Sequence, residues 1–142
     1  MPPSAVVLDT SVLSSGFLTR GPPRRLLDPA ETGRFRMVLS MVVIEETRRS
    51  LSKPRLMRAY GYTPEAIVDF IEGSVAAAVL VDGDPAFVSK CRDPNDHHVI
   101  ATAVAAAATL IVSGDADLLD LGAHGPIRIF TPRQFLDMLA EP

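Results

Sequence analysis

The chain has 142 residues, 47% hydrophobic and 22% charged, which fits one globular domain over residues 1–142 rather than two. A single cysteine, Cys91, excludes an internal disulfide and any cysteine-rich zinc cluster, and the longest uncharged apolar stretch, Val99 to Val112, is shorter than the roughly 20 residues of a membrane span. The net charge of −3 hides an asymmetry: residues 1–58 carry ten of the 14 Lys and Arg against five of the 17 acids, net +5, and residues 59–142 are net −8.

In chain order, short β-rich runs alternate with longer helical ones, the signature of an α/β fold. The start, MPPSAVVLDTSVL, lacks the basic n-region of a signal peptide, so a cytoplasmic protein is expected, with no membrane insertion. Strands are predicted at Ala5 to Leu8, Arg36 to Leu39, Ala78 to Val81, Leu110 to Val112 and Ile127 to Phe130. Several are apolar throughout, as parallel strands buried on both faces require. Thr19 to Arg25, with Gly21, Pro22 and Pro23, is the most loop-like stretch, too short for an interdomain linker. Thr63 and Pro64, then Asp93 and Pro94, read as N-cap and first helical residue, and Thr131-Pro132-Arg133-Gln134 has capping-box spacing. The helix predicted from Pro94 runs into ATAVAAAAT, whose alanines favour helix and keep its surface thin enough for close approach.

In an open parallel sheet, ligands sit beyond the carboxyl ends of the strands. Acids occur there four times. The run AVVL ends in Asp9-Thr10-Ser11; RMVLS leads into a helix bearing Glu45 and Glu46; the turn Asp93 to Asp96 opens the alanine-rich helix; TLIVSG ends in Asp115 and Asp117. Carboxylates gathered this way repel one another by several kcal/mol, so they take up protons or bind a cation. A hard ion, Mg²⁺ or Mn²⁺, suits such oxygen ligands supplemented by Thr10, Ser11 or Ser113. Zinc does not, because Cys91 is alone and His97 and His98, consecutive on a helix, point about 100° apart.

Simpler roles compete at each acid. Asp93 suits an N-cap, Asp96 could oppose a helix dipole, and Asp115 and Asp117 flank a turn where an Asx cap is a rival. Glu45 precedes Arg49 by four residues, an ion-pair spacing, whereas Glu46 borders the apolar stripe of Val43, Ile44, Thr47 and Leu51 and points inward. Asp9, directly after a buried strand, is hard to explain as a surface residue. His97 and His98 are candidates for contacting a scissile phosphate but read more simply as ordinary helix histidines, His124 carries no signal in its Gly-flanked loop, and Cys91 has no cue for a lowered pKa.

Four blocks, VVLDTSVL, LSMVVIEETRRSL, CRDPNDHHVIATAVAAAATLIVSGDADLLDL and IRIFTPRQFLDML, together resemble the PIN-domain ribonucleases, in particular the small VapC-like toxins of bacterial toxin–antitoxin systems. The resemblance implies a three-layer α/β/α sandwich around a parallel sheet, here of about five strands. It implies that Asp9, Glu46, Asp96 and Asp115 hold Mg²⁺ or Mn²⁺ and carry catalysis, with Asp93 and Asp117 beside them as auxiliary ligands. The implied reaction is metal-dependent hydrolysis of single-stranded RNA. Thr10, Ser11, Ser113 and the Arg residues of the 20 to 58 segment, Arg48 among them, are the substrate-positioning candidates. A homodimer and a cognate antitoxin follow, the antitoxin docked on the helices from Lys53 to Glu72. Two departures stand out: many relatives carry Asn where this chain has Ser11 and His97.

Three other readings compete. A haloacid-dehalogenase-type phosphatase wants a second Asp where Ser11 stands; a phosphorelay receiver needs a late Lys, and Lys53 and Lys90 are misplaced for it. A non-cleaving PIN fold that binds RNA or a partner is the third. A pI near 5.5 argues against indiscriminate nucleic-acid binding, and the basic N-terminal half is compatible with either a polyanion-facing surface or a solvated exterior.

Overall fold

The computed structural model describes residues 4–31 and 33–141. Its strands are β1 (Ala5–Leu8), β2 (Arg36–Leu39), β3 (Val79–Leu80), β4 (Leu110–Val112), β5 (Ala123–His124) and β6 (Ile127–Phe130). The helices are α1 (Thr10–Leu18), α2 (Pro22–Glu31), α3 (Met41–Leu51), α4 (Pro54–Tyr60), α5 (Pro64–Ala77), α6 (His97–Ala105), α7 (Ala116–Leu121) and α8 (Pro132–Ala140).

The strands form one sheet in the order β3-β2-β1-β4-β6-β5, every pairing parallel except β5 with β6. β1 lies inside the sheet and its four residues are all buried, which is why AVVL carries no polar residue. Alternation divides them: Val6 and Leu8 join α1, α2, α3, α5 and α8 in one core, while Ala5 and Val7 face α6 and α7 in the other. Helices thus cover both faces of the sheet, as the α/β/α expectation requires. Phe35 and Phe135 meet edge-to-face at 4.8 Å in the first core.

The sheet differs from expectation at both edges. It has six strands rather than about five, because a two-residue hairpin turn, with Gly125 at φ +56° followed by Pro126, folds β5 back onto β6 and places His124 in a strand. β3 is shorter than Ala78 to Val81, since Ala78 caps α5 through its N–H to the Val75 carbonyl. The helix expected from Pro94 begins as a single 3₁₀ turn, Pro94–Asp96, capped by Asp93, with α6 starting at His97. Thr63 caps α5 as expected, and both arms of the Thr131–Gln134 capping box are present.

The thin helix surface provided by the alanines is used at one point. A Cβ on Gly83 would lie 2.5 Å from the Ala101 carbonyl carbon and 2.6 Å from the Thr102 nitrogen, so the segment before α6 rests directly on the helix backbone. Backbone atoms cannot swing aside, and Gly83→Ala is therefore expected to destabilise the protein by about 1–3 kcal/mol in urea unfolding.

The chain order sets the location of any edge site. β1, β2 and β3 progress one way across the sheet, after which the chain returns to place β4 on the free side of β1. This reversal puts a topological switch point between β1 and β4.

Candidate active site

Asp9 directly follows β1 and Ser113 directly follows β4, and the register Leu8↔Val112 brings the two strand ends together. The Asp9 N–H donates to the Val112 carbonyl at 3.3 Å. Asp9 is only 5% exposed. It caps α1: Oδ1 accepts from the Val12 N–H at 3.3 Å and from Ser11 Oγ at 2.5 Å, while Oδ2 accepts from the buried Ser113 hydroxyl. Burial pushes its carboxyl up from the ordinary Asp value and the Asp115 charge adds to this, while the three hydrogen bonds oppose it.

Ser11 and Ser113 tie the two loops to each other. Ser11 Oγ accepts the Gly114 N–H at 3.0 Å, and Ser113 Oγ accepts the Asp115 N–H at 2.9 Å. Asp115 in turn caps α7, accepting from the Leu118 N–H at 3.0 Å. The Asx-cap role weighed for Asp115 is thus filled by an oxygen of a residue that also faces the cleft.

Asp96 ends the 3₁₀ turn before α6 and shares a hydrogen bond with Asp115. Its carboxyl is pushed up to about 7, first by burial, then by that shared bond and by the charges of Asp115, Asp93 and Asp9. The Cys91 thiol, itself raised mainly by burial, lies 3.9 Å from Asp96 Oδ2. Glu46, on α3, accepts from Thr10 Oγ1 at 3.1 Å and lies 3.2 Å from His98 Nε2.

Asp9, Glu46, Asp96 and Asp115 line a single cleft of about 350 Å³ at the switch point, with Thr10, Ser11 and His98. Ser14, Ser15, Ser50 and Asn95 also line it, and no motif had singled them out. Single oxygens of Asp93, Asp96 and Asp117 lie within 4.8 Å of one another, so Asp96 belongs to two acidic groups at once. In the second group, Arg92 bridges Asp117 at 2.9 Å and Asp120 at 2.5 Å, which offsets part of its negative charge.

One expectation requires correction. Glu45 pairs with Arg48, three residues on, at 2.6 Å and not with Arg49. The three-residue spacing is as close on a helix surface as four. That pair holds the Arg48 side chain, half exposed, and Arg48 is not among the residues that line the cleft. His97 also turns away, its Nε2 lying 3.3 Å from the Cys91 carbonyl.

The donor set fits a divalent cation. Every side-chain donor of the four central acids is an oxygen, and these carboxyls stand close enough that Asp96 holds a proton near neutrality unless positive charge replaces it. Among the described residues no helix is long and apolar enough to cross a membrane.

The sequence profile described as PIN domain matches residues 5–117. No curated protein matches the chain significantly. Among solved structures, the chain is similar to VapBC2 from Rickettsia felis, bound to a DNA fragment from its promoter, with TM-score 0.61 and 11% identity over 89% of this chain and 98% of that one. It is also similar to the PIN domain of human SMG5, with TM-score 0.52 and 15% identity over 94% of this chain and 97% of that one.

Proposed function

The chain belongs to the PIN domain family, and from that premise we propose that it is a divalent-metal-dependent endoribonuclease that cuts single-stranded RNA, acting as the toxin of a toxin–antitoxin pair. The observation that carries this reading is the convergence of Asp9, Glu46, Asp96 and Asp115, spread over more than 100 residues of chain, on one cleft at the β1/β4 switch point.

These four acids would hold Mg²⁺ or Mn²⁺, with Asp93 and Asp117 as auxiliary ligands on the Arg92 side. When bound, the ion polarises the scissile phosphate and lowers the pKa of a water. The protein's own residues do the rest. Ser11, Ser113 and the Val12 N–H occupy three acceptor positions of Asp9 and fix its orientation, leaving it free to turn one remaining lone pair to the ion. The role of Ser11 and Ser113 is thus to hold a carboxylate rather than the substrate. One of these coupled carboxylates would take the proton of the attacking water.

The cognate antitoxin is proposed to dock on α4 and α5, between Lys53 and Glu72, where Tyr60 and Val68 are about half exposed. The active form is proposed to be a homodimer in the cytoplasm.

Purified protein is expected to cleave single-stranded RNA with Mg²⁺ or Mn²⁺, to stop in EDTA, and to leave a generic phosphomonoester intact. Phosphomonoester hydrolysis without RNA cleavage would instead identify a phosphatase. RNA binding without cutting, in the presence of either ion, would identify a non-cleaving PIN fold.

A further inference from the structure

We propose that His98 is a positioning residue for Glu46: its Nε2 and the Thr10 hydroxyl together hold one carboxylate oxygen, so that Glu46 meets a bound divalent cation through the other. The inference rests on the reading of the acidic cleft as a metal site and extends it to a residue outside the carboxylate set.

Thr10 Oγ1 donates to Glu46 Oε1 at 3.1 Å, and His98 Nε2 lies 3.2 Å from the same oxygen. The two contacts come from opposite layers of the fold. Thr10 opens α1 on one face of the sheet, and His98 is the second residue of α6 on the other. The Glu46 side chain is 38% exposed and flexible by its chemistry, so nothing in its own burial selects one rotamer. Being held from two sides does. Because both contacts fall on Oε1, Oε2 has no protein partner among the described residues and is the oxygen left for a ligand.

The imidazole has no competing polar task. Its Nδ1 is buried without a hydrogen-bond partner among the described residues, and the other polar link of the residue is through the main chain, whose carbonyl accepts from Thr102 Oγ1 at 2.8 Å. His97, on the adjacent residue, addresses the Cys91 carbonyl instead, so the pairing with Glu46 is particular to His98.

The test is calorimetric titration of Mn²⁺ into metal-free protein, which needs no RNA turnover. His98→Leu, and His98→Asn as a second variant whose amide is too short to reach, are expected to weaken Mn²⁺ binding about tenfold or more. His98→Gln, whose amide nitrogen can take the place of Nε2 beside Oε1, is expected to stay close to wild type. In a Glu46→Gln background, His98→Leu is expected to cost nothing further, because His98 acts through Glu46. Unchanged affinity in folded His98→Leu and His98→Asn, or an equal loss in the Glu46→Gln background, overturns the proposal while leaving the metal site standing. Wild-type protein that binds no Mn²⁺ removes the metal site and this proposal with it.

Discussion

Asp96→Asn is expected to lower RNA cleavage in Mg²⁺ by about 10²–10³-fold, the effect of weakening a metal worth several kcal/mol of charge stabilisation. The same substitution is expected to stabilise the metal-free protein above neutral pH. Asp96 stands among Asp115, Asp93 and Asp9, and its carboxyl gives up its proton only at about 7 against burial and those three charges. Asparagine has the same shape, keeps an oxygen for the Cys91 thiol, and has no charge to repel. Activity and stability should therefore move in opposite directions, as they do where a site concentrates like charge for function. The checks are cleavage of a labelled RNA and thermal unfolding in EDTA at about pH 8, where a rise on the order of a few degrees is expected. A lower midpoint in EDTA would mean that favourable contacts, and not neighbouring charge, dominate the surroundings of Asp96.

The second large effect concerns pH. Asp9 and Asp96 both bind a proton more tightly in the folded chain than in the unfolded one, where Asp titrates near 3.8. Below that pH both states are protonated and the advantage of the folded state is complete. As pH rises toward and through about 7, the folded protein must ionise Asp96 against burial and like charge, and the advantage is lost. Metal-free protein is thus expected to lose stability between about pH 4 and pH 8, measured as the urea midpoint. Saturating Mg²⁺ should reverse the loss at the upper end, because a cation that binds only the folded state replaces the proton. Asp96→Asn should flatten the metal-free profile. Stability that climbs steadily over this range in EDTA would contradict the crowding of these carboxyls.

Five strands were legible in the sequence: AVVL and LIV as apolar runs buried throughout, RMVL and IRIF as apolar residues with one exposed arginine each, and β3 within the predicted Ala78 to Val81. β5 was not, since two residues carry no period, and its only signal was the Gly125-Pro126 dipeptide that turns the chain back. The convergence of Asp9 with Asp115 could be argued in advance only if β1 and β4 were neighbours, and the structure makes them so. What remained illegible depends on side chains meeting across layers. His98 read as an ordinary helix histidine because nothing local to α6 reveals that Glu46 lies opposite. The Arg92 bridge to Asp117 and Asp120 spans loops distant in sequence. At Glu45, by contrast, both arginines lie on the same helix at equivalent reach, and the side chain pairs with Arg48 rather than Arg49.

The contact between Ser113 and Asp9 joins residues 104 positions apart. During synthesis, a nascent chain that has exposed Asp9 and Glu46 still lacks every acid from Asp93 onward, and β1 still lacks the β4 neighbour that sets the cleft. Two carboxylates without their counterparts make a poor cation trap. The complete cleft therefore arrives as one late event, once the segment carrying Ser113 and Asp115 has left the ribosomal tunnel.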